Sequence, residues 1–355
     1  MKKYHIITIG CQMNKSDSER IAGRLEKFGY KRSDNKYQAD LVLVNTCGVR
    51  QSAENRIYGL IPNIKKKNSK VKIILTGCLV NREDVKTRLK NYVDLWMPIG
   101  QITNDKFPIL NQCQMLNAKY QNDYLNIQPK YESKFSAYVP IGNGCNNFCS
   151  YCVVPYARGR EVYRPAENIL KEVKNLVKKG YKEIILIAQN VNSYKSGKID
   201  FSDLLKMTNN IKGDFCIKFL TSHPKDMSDK LIKTIADCEK VCHYIHLPIQ
   251  SGDNKILKKM NRGYTRENYL NLIKKIQKKI PEVKISTDII VGFPSETRKQ
   301  FENTVDLVKK IKFDKAYISK YSPRPGTSAY KLKDNVTKEE KQRRWKIISE
   351  IITKN

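Results

Sequence analysis

A chain of 355 residues, 40% of them hydrophobic, is long enough for two hydrophobic cores, so two domains are expected. Its 67 Lys and Arg residues against 35 Asp and Glu residues give a net charge of +32, which favours a polyanionic partner such as nucleic acid, although a lysine-rich genome would give the same excess. Ten cysteines in so long a chain do not indicate a secreted disulfide framework. The apolar residues 6–9 are too short for the core of a lipoprotein signal, and no segment could span a membrane. A cytoplasmic protein with free thiols is therefore expected.

Up to about residue 117, short β-branched runs alternate with amphipathic helical patterns, which is typical of βα units around an open parallel sheet. The pattern predicts strands at residues 4–9, 41–45 and 71–76. It also predicts a helix that a capping box of Ser16 and Glu19 opens and that ends near residue 28.

Cys11, Cys47 and Cys78 each follow one of these three strands. Because the carboxyl ends of parallel strands meet at one edge of a sheet, where ligands bind, three thiols from distant segments are expected to converge there. One such cysteine alone would more simply be a small buried hydrophobe. Three at equivalent positions predict a shared metal site.

Residues 118–132 lack periodicity and are interpreted as a linker. A second domain is predicted over residues 133–330, with a helical segment at 331–355. Strand-like runs occur at residues 135–141, 183–188, 216–220, 243–247, 284–291 and 316–319, and helical patterns lie between them near residues 166–179, 201–210, 226–238, 266–279 and 297–310. Six βα units fall short of the eight of a closed barrel, so the prediction is an α/β protein with an open parallel sheet (Rossmann-like) followed by an incomplete (β/α)6 barrel.

The strongest motif follows the first strand of that second domain. Cys145, Cys149 and Cys152 are spaced C-x3-C-x2-C, which allows them to bind three irons of a cubane cluster and to leave the fourth iron open. An open coordination position distinguishes a catalytic metal site from a structural one. A zinc site would bring paired C-x2-C motifs or nearby histidines, and the closest histidine is His223.

The cysteine loop, with the aromatic Tyr151 before its last cysteine, resembles the radical S-adenosylmethionine superfamily. The segments GCQMN (residues 10–14), NTCGVR (45–50) and TGC (76–78) resemble the amino-terminal domain of methylthiotransferases. Four further segments resemble the tRNA-modifying MiaB-type branch of that family: VVPYARGRE (153–161), QNVNSY (189–194), HLPIQSG (246–252) and KMNRGYT (259–265). The likeness runs from about residue 4 to Thr327.

The resemblance implies conversion of N6-isopentenyladenosine at position 37 of tRNA, in the anticodon stem-loop, into its 2-methylthio derivative. It implies a [4Fe-4S] cluster on Cys145, Cys149 and Cys152 that binds S-adenosylmethionine and cleaves it to a radical. A second, auxiliary [4Fe-4S] cluster on Cys11, Cys47 and Cys78 would deliver sulfur. An electron donor such as flavodoxin or ferredoxin, no membrane partner and a monomeric state are further expectations. The radical chemistry belongs to the cofactor, while the protein positions the reactants.

Further contacts to S-adenosylmethionine are predicted at strand ends, where turn chemistry is the alternative explanation. They are Gln189 and Asn190, Gln250 and Ser251, and Gly292, whose missing side chain would let the backbone approach the adenine ring. Arg158 and Arg160 are suited to a phosphate or carboxylate, or else to surface ion pairs. The remaining cysteines are assigned to packing: Cys113, Cys216, Cys238 and Cys242.

Two departures from the family pattern stand out. Family members continue into a small RNA-binding TRAM domain, whereas this chain stops at Asn355 after a helical segment, and Val162 and Tyr163 replace the usual Arg-Ser. The alternatives left open are a methylthiotransferase acting on threonylcarbamoyladenosine in tRNA, one acting on an aspartate of a ribosomal protein, and a catalytically silent iron-sulfur protein that binds RNA.

Overall fold

Five parallel strands form the sheet of the amino-terminal half in this computed structural model, which describes residues 1–102 and 123–353. The strand order is β2-β1-β3-β4-β5, and every pairing in it is parallel. The elements are β1 (Lys3–Thr8), α1 (Gln12–Lys27), β2 (Lys31–Arg32), β3 (Leu41–Thr46), α2 (Gln51–Lys67), β4 (Lys72–Gly77), α3 (Glu83–Leu89) and β5 (Leu95–Trp96).

The central strand β3 is buried at all six positions, because helices cover both faces of the sheet. One face packs Val42 and Val44 against Ile57 and Ile61 of α2, while the other packs Leu43 with neighbours that include α1. A run of β-branched and leucine side chains is typical of a strand buried on both sides. The three strands predicted for this half are thereby confirmed, and the short edge strands β2 and β5 add to them.

The second half alternates strands and helices, and the six predicted strands are confirmed. They are β6 (Ser136–Pro140), β9 (Glu183–Ile187), β12 (Cys216–Leu220), β13 (Tyr244–His246), β14 (Lys284–Val291) and β15 (Lys315–Lys320). The helices are α4 (Val154–Arg158), α5 (Ala166–Lys178), α6 (Phe201–Asn209), α7 (Asp229–Asp237), α8 (Asn254–Lys259), α9 (Arg266–Lys279), α10 (Arg298–Ile311) and α11 (Lys338–Thr353). Two small antiparallel pairs join β7 (Gly142–Asn143) to β8 (Val162–Tyr163) and β10 (Lys195–Ser196) to β11 (Ile199–Asp200).

These six strands form two parallel sheets, β6-β9-β12 and β13-β14-β15. A parallel bridge joins Ile217 of β12 to Val241, in the segment that leads into β13, and one continuous hydrophobic core extends under both sheets. The carboxyl ends of the strands therefore belong to one surface. No helix among the described residues is long and apolar enough to cross a bilayer.

Helix α1 lies between the two halves, and its start differs from the prediction. The helix begins at Gln12, one turn earlier than a capping box of Ser16 and Glu19 would place it, and Asn14 Oδ1 accepts a hydrogen bond from the Cys11 backbone N–H at 3.2 Å. Ser16 and Glu19 are buried within the helix, and Glu19 Oε1 accepts from the backbone N–H of Glu132. The predicted capping box is therefore wrong, because Ser16 and Glu19 lie inside a helix that has already begun at Gln12.

Buried ion pairs fix the halves to each other. Arg20 of α1 donates to Glu172 of α5 at 3.1 Å, and Arg324 donates to Glu54 of α2 at 3.1 Å. Part of the predicted linker also packs: the side chains of Tyr124, Leu125 and Ile127 are buried in the core of the first half. The rest of that linker up to residue 122, and the predicted end of the first domain at 117, lie outside the described residues, as does Cys113.

Candidate active site

Cys11, Cys47 and Cys78 lie at the carboxyl edge of three neighbouring strands. Cys47 follows β3 directly, Cys78 follows β4 directly, and Cys11 precedes α1 just beyond β1. Gly77 makes this edge possible: its φ is +89°, and a Cβ there would lie 2.3 Å from the carbonyl oxygen of Thr46. The structure thus brings these three predicted residues together.

Asparagines hold the edge in place. Asn14 Nδ2 donates to Asn45 Oδ1 at 2.8 Å and lies 3.1 Å from the carbonyl oxygen of Thr46, next to Cys47. The Cys11 thiol donates to Asn14 Oδ1 at 3.3 Å. Burial raises the pKa of Cys47, and the neighbouring Cys78 and Cys11 thiols raise it further. Binding of a metal by these thiols must therefore displace protons.

Cys145, Cys149 and Cys152 share one loop that closes on itself. The Cys145 N–H donates to the carbonyl of Gly159 at 3.1 Å. Position 144 needs a glycine for two reasons: its φ is +84°, and a Cβ there would lie 2.0 Å from the carbonyl oxygen of Arg160. Burial raises the pKa of Cys145 to about 11. The loop therefore presents its three thiols from a fixed backbone.

The turn after α8 makes hydrogen bonds with the same loop. Ser150 N–H donates to the carbonyl of Met260 at 3.0 Å, and Asn261 Nδ2 donates to the carbonyl of Phe148 at 3.1 Å. Arg262 Nη1 donates to Cys149 Sγ at 3.3 Å. Arg262 was missed as a site residue, although it lies within the segment KMNRGYT that carries the family resemblance.

The two cysteine sets face each other across the boundary between the halves. A Cβ on Gly48, next to Cys47, would lie 3.3 Å both from the Cys78 side chain and from Val153 Cγ2, next to Cys152. Arg158 of α4 is buried here and donates to Asp17 of α1 at 2.7 Å. Burial alone would lower the pKa of Arg158, but Asp17 and then the Cys78 thiol raise it, so the guanidinium is charged.

The donor sets fit iron-sulfur clusters better than single ions. Within residues 1–102 and 123–353, no group of three or more His, Cys, Asp or Glu side chains is arranged to hold one metal ion. Cubane ligation does not need that arrangement, because each thiolate binds a different iron. Each set supplies three thiols, which suits a cluster with one open iron.

Four buried polar atoms without a hydrogen-bond partner follow the strands β9, β12 and β13. They are Asn190 Oδ1, Ser222 Oγ, His223 Nε2 and Gln250 Oε1. Buried polar atoms are normally satisfied, so a row of exceptions after the carboxyl ends of three strands indicates where a polar ligand binds. Asn190 and Gln250 were predicted from the sequence, whereas Ser222 and His223 were missed; the same rule of strand ends, applied to β12, would have found both.

His223 carries no charge in this environment. Its ring lies 5.7 Å from that of Tyr264, and burial lowers the pKa of His223 to about 2, helped by Arg262 and Lys225. The imidazole therefore offers Nε2 as a neutral hydrogen-bonding group at neutral pH.

The other predicted contacts have structural partners within the chain. Gln189 Oε1 accepts from the Gly144 N–H at 2.6 Å and so supports the cysteine loop. Ser251 Oγ accepts from the Asp253 N–H at 3.3 Å. Gly292 has a φ of +70°, and a Cβ there would lie 2.3 Å from Lys341 Cγ of α11, so packing against α11 explains the glycine physically, and contact with an adenine ring stays a prediction.

Arg160 and the remaining cysteines lie apart from these contacts. Arg160 is exposed and stacks 4.3 Å over the ring of Phe148. Cys238 is buried in the main core, while Cys216 and Cys242 are half-buried beside each other.

Comparison with known proteins agrees with this architecture. The family model of the radical SAM superfamily matches residues 139–308, and that of the uncharacterized protein family UPF0004 matches residues 3–98. A radical S-adenosylmethionine methyltransferase, TsrM from Kitasatospora setae, shares the fold with a TM-score of 0.59 at 14% identity, covering 93% of this chain and 77% of that one. The fold and the cysteine loop thus define a radical S-adenosylmethionine protein.

Curated relatives narrow the class. The tRNA-2-methylthio-N(6)-dimethylallyladenosine synthase of Clostridium novyi (strain NT) is 45% identical over 366 residues, covering 99% of this chain and 81% of the relative. That of Thermoanaerobacter pseudethanolicus (strain ATCC 33223 / 39E) is 46% identical, covering 99% of this chain and 78% of the relative. The chain belongs to this family of MiaB-type methylthiotransferases.

Proposed function

We propose that the protein is a tRNA methylthiotransferase that places a methylthio group on C2 of N6-isopentenyladenosine in the anticodon stem-loop. The observation that carries the proposal is the pair of cysteine sets facing each other across the Gly48–Val153 contact. Identity of 45% over 99% of the chain to synthases named for this product supports the choice of substrate.

S-Adenosylmethionine and two [4Fe-4S] clusters, when bound, supply the radical, the sulfur and the methyl group that this reaction needs. The chain's own contribution is to hold them close together in a site that excludes water. Cys145, Cys149 and Cys152 hold one cluster, and Cys11, Cys47 and Cys78 hold the other. Asn190, Ser222, His223 and Gln250 offer polar atoms to S-adenosylmethionine, and Gln189 stabilises the loop beneath it.

The fold supports this division of labour. We infer a Rossmann-like first domain within residues 1–117, joined through residues 118–132 to an incomplete (β/α)6 barrel within 133–330 and a helical segment within 331–355. The barrel description is supported by the bridge between Ile217 of β12 and Val241, which brings the segment before β13 beside β12. The protein acts as a monomer, receives electrons from a small donor such as flavodoxin or ferredoxin, and works in a reducing cytoplasm, where its thiols stay free.

The net charge of +32 suits binding of the tRNA backbone. Aromatic and basic side chains near the clusters suit an unpaired base: Tyr156 is 52% exposed, its ring lies 6.0 Å from that of Phe148, and Arg160 covers the other ring. Phe148 lies within the cysteine loop, and Tyr156 and Arg160 follow it in sequence. A base stacked on these residues would therefore lie beside the reaction centre.

The deciding experiment incubates anaerobically reconstituted, reduced protein and S-adenosylmethionine with three tRNAs: isopentenylated, threonylcarbamoylated and unmodified. Nucleosides are then identified by mass spectrometry. A methylthio product on the isopentenylated tRNA alone is expected. A product on the threonylcarbamoylated tRNA would redirect the substrate assignment, and no product on any of the three would reject a tRNA methylthiotransferase.

Iron content tests the cofactor assignment separately. Two cubane clusters correspond to about eight irons per chain, and Cys145→Ala or Cys47→Ala should each reduce this by about half. Cys238→Ala is the matched control, because Cys238 is a buried cysteine of the hydrophobic core. About four irons in the unchanged protein would reject the two-cluster assignment.

A further inference from the structure

Arg262 is a buried cation whose partners differ from those of the other buried arginines. Among the described residues, seven arginines are buried, and five of them form an ion pair with a carboxylate, namely Arg20, Arg158, Arg164, Arg324 and Arg344. Arg24 lies over the Phe28 ring at 4.3 Å. Arg262 has no carboxylate partner and instead reaches the sulfur of Cys149.

Every hydrogen bond of the Arg262 guanidinium goes to a neutral group or to that sulfur. Nε donates to Tyr264 Oη at 2.9 Å, Nη2 donates to the carbonyl of Pro248 at 2.9 Å, and Nη1 lies 3.3 Å from Cys149 Sγ and 3.4 Å from Tyr151 Oη. An arginine side chain does not lose its proton in proteins. Leaving such a charge buried without a counter-charge is expensive, so the site is built to receive an anionic group.

The backbone aims the guanidinium at the loop. Arg262 stands between Asn261, with a φ of +57°, and Gly263, with a φ of +70°, and its N–H donates to the carbonyl of Leu257 at the end of α8. Residues with a left-handed backbone thus flank Arg262 on both sides, and the backbone bond to Leu257 closes the turn after α8. The side chain therefore enters the interior towards Cys149 and not solvent.

We propose that Arg262 is the charge-compensating residue of the Cys145–Cys149–Cys152 site and raises the reduction potential of the cluster bound there. This rests on the cluster assignment of the proposed function. Reduction adds one electron from a one-electron donor and no proton, so the site gains one negative charge. A fixed cation and a hydrogen bond to a ligating sulfur both favour the reduced state.

The auxiliary set offers an internal comparison. The buried Arg158 lies beside Cys78 and Cys11, but Asp17 already neutralises it at 2.7 Å. The two buried guanidinium groups, one at each cysteine set, thus differ in whether a carboxylate neutralises them: Asp17 neutralises Arg158, and no carboxylate neutralises Arg262. We therefore expect substitution of Arg262 to affect only the cluster on Cys145, Cys149 and Cys152.

The test is a spectroelectrochemical titration of the reconstituted chain in a Cys47→Ala background, so that only the cluster on Cys145, Cys149 and Cys152 reports. Arg262→Gln should make its reduction at least about tenfold less favourable, which corresponds to 59 mV for a one-electron couple. Arg262→Lys, which keeps the charge, should stay within about threefold of the parent. In a Cys145→Ala background, Arg262→Gln should leave the auxiliary potential unchanged.

Arg262→His provides a second readout if the glutamine variant does not load iron. Its potential should fall as pH rises through the titration of the imidazole, while the parent potential should not follow that profile. A glutamine variant within twofold of the parent, or failure of all three variants to hold iron, would overturn the proposal. The measurement uses neither tRNA nor S-adenosylmethionine, so a shifted potential without product would reject only the tRNA function.

Discussion

The carboxylate of Asp17, in the first helix, lies 2.7 Å from the guanidinium of Arg158, in the short helix after the cysteine loop, and both side chains are buried. The pair joins the two halves of the molecule beside both cysteine sets. Asn143 Oδ1 accepts a further hydrogen bond from Arg158 at 3.0 Å. The ion pair therefore fixes α1 of the first half to α4 of the second half.

Asp17→Asn should destabilise the metal-free protein by about 3–5 kcal/mol, because it leaves Arg158 buried without a counter-charge. A double change of Asp17→Leu and Arg158→Met should cost less than the single change. The measurement is the urea unfolding midpoint. Glu302→Gln, which breaks the exposed Arg298–Glu302 pair, is the control and should change stability by less than about 1 kcal/mol. Equal losses for Asp17→Asn and Glu302→Gln would contradict the prediction.

Tyr156→Ala should weaken binding of an isopentenylated anticodon stem-loop. Loss of one stacked base is worth about 1–3 kcal/mol, or roughly 5- to 150-fold in Kd. Fluorescence anisotropy at fixed salt measures it. Tyr330→Ala is the matched control, because Tyr330 is also 52% exposed. If the two variants bind equally well, Tyr156 is not part of the RNA surface.

Gly292→Ala should destabilise the protein more than an ordinary change at a left-handed glycine. An alanine at positive φ costs about 1–2 kcal/mol, and here the new Cβ would also collide with Lys341. Gly180→Ala is the control, since Gly180 has a φ of +85° and open space around it. Thermal melting compares the two. Adding Lys341→Ala to Gly292→Ala should restore part of the loss, and no recovery would contradict the steric explanation.

His223 makes the stability of the protein depend on pH. Its pKa is depressed from 6.5 to about 2 in the folded state, so below pH 6.5 the unfolded chain binds a proton that the folded chain does not. Stability therefore falls as pH falls, by about 1.4 kcal/mol between pH 7.5 and 5.5.

His223→Gln should remove this part of the pH dependence. Urea midpoints of the parent and the variant at pH 7.5 and pH 5.5 measure the difference. His243→Gln is the control, since His243 is a histidine outside the strand-end row of unpartnered atoms. An unchanged pH dependence in His223→Gln would show that the imidazole is protonated in the folded protein.

Local patterns predicted the main strands, because each buried strand is a dense apolar run, and they predicted most helices of the second half, but they gave no bounds for a helix at α2, α4 or α8. The prediction for α1 failed for a physical reason. Asp17 and Arg20 are polar yet buried, because they pair with Arg158 and Glu172 of the second half. A sequence pattern shows that a residue is polar, but it does not show that another domain will cover it.

The sequence allowed prediction of those candidate site residues whose type and position after a strand indicate a binding role. Cysteine positions after strands located both sets, and strand ends located Asn190 and Gln250. Arg262 and Asp17 were missed, because an arginine or aspartate in sequence gives no sign of whether its charge will be buried. The contact of Gly292 with a ligand stays a prediction, and its close neighbour in the structure, Lys341, comes from a helix 49 residues further along the chain, which no local pattern could show.

The two cysteine sets differ in how they arise along the chain. Residues 145–152 carry all three thiols of one set in a single short loop, whereas the other set becomes a set only after β1, β3 and β4 have paired. Closing a short loop costs little entropy, so an incompletely folded chain can already capture iron there. We therefore expect an order of maturation in which the loop in the second half can acquire its cluster early, whereas the sheet edge in the first half can acquire its own only after folding. Partial unfolding of the first half should therefore release the cluster on Cys11, Cys47 and Cys78 before the cluster on Cys145, Cys149 and Cys152.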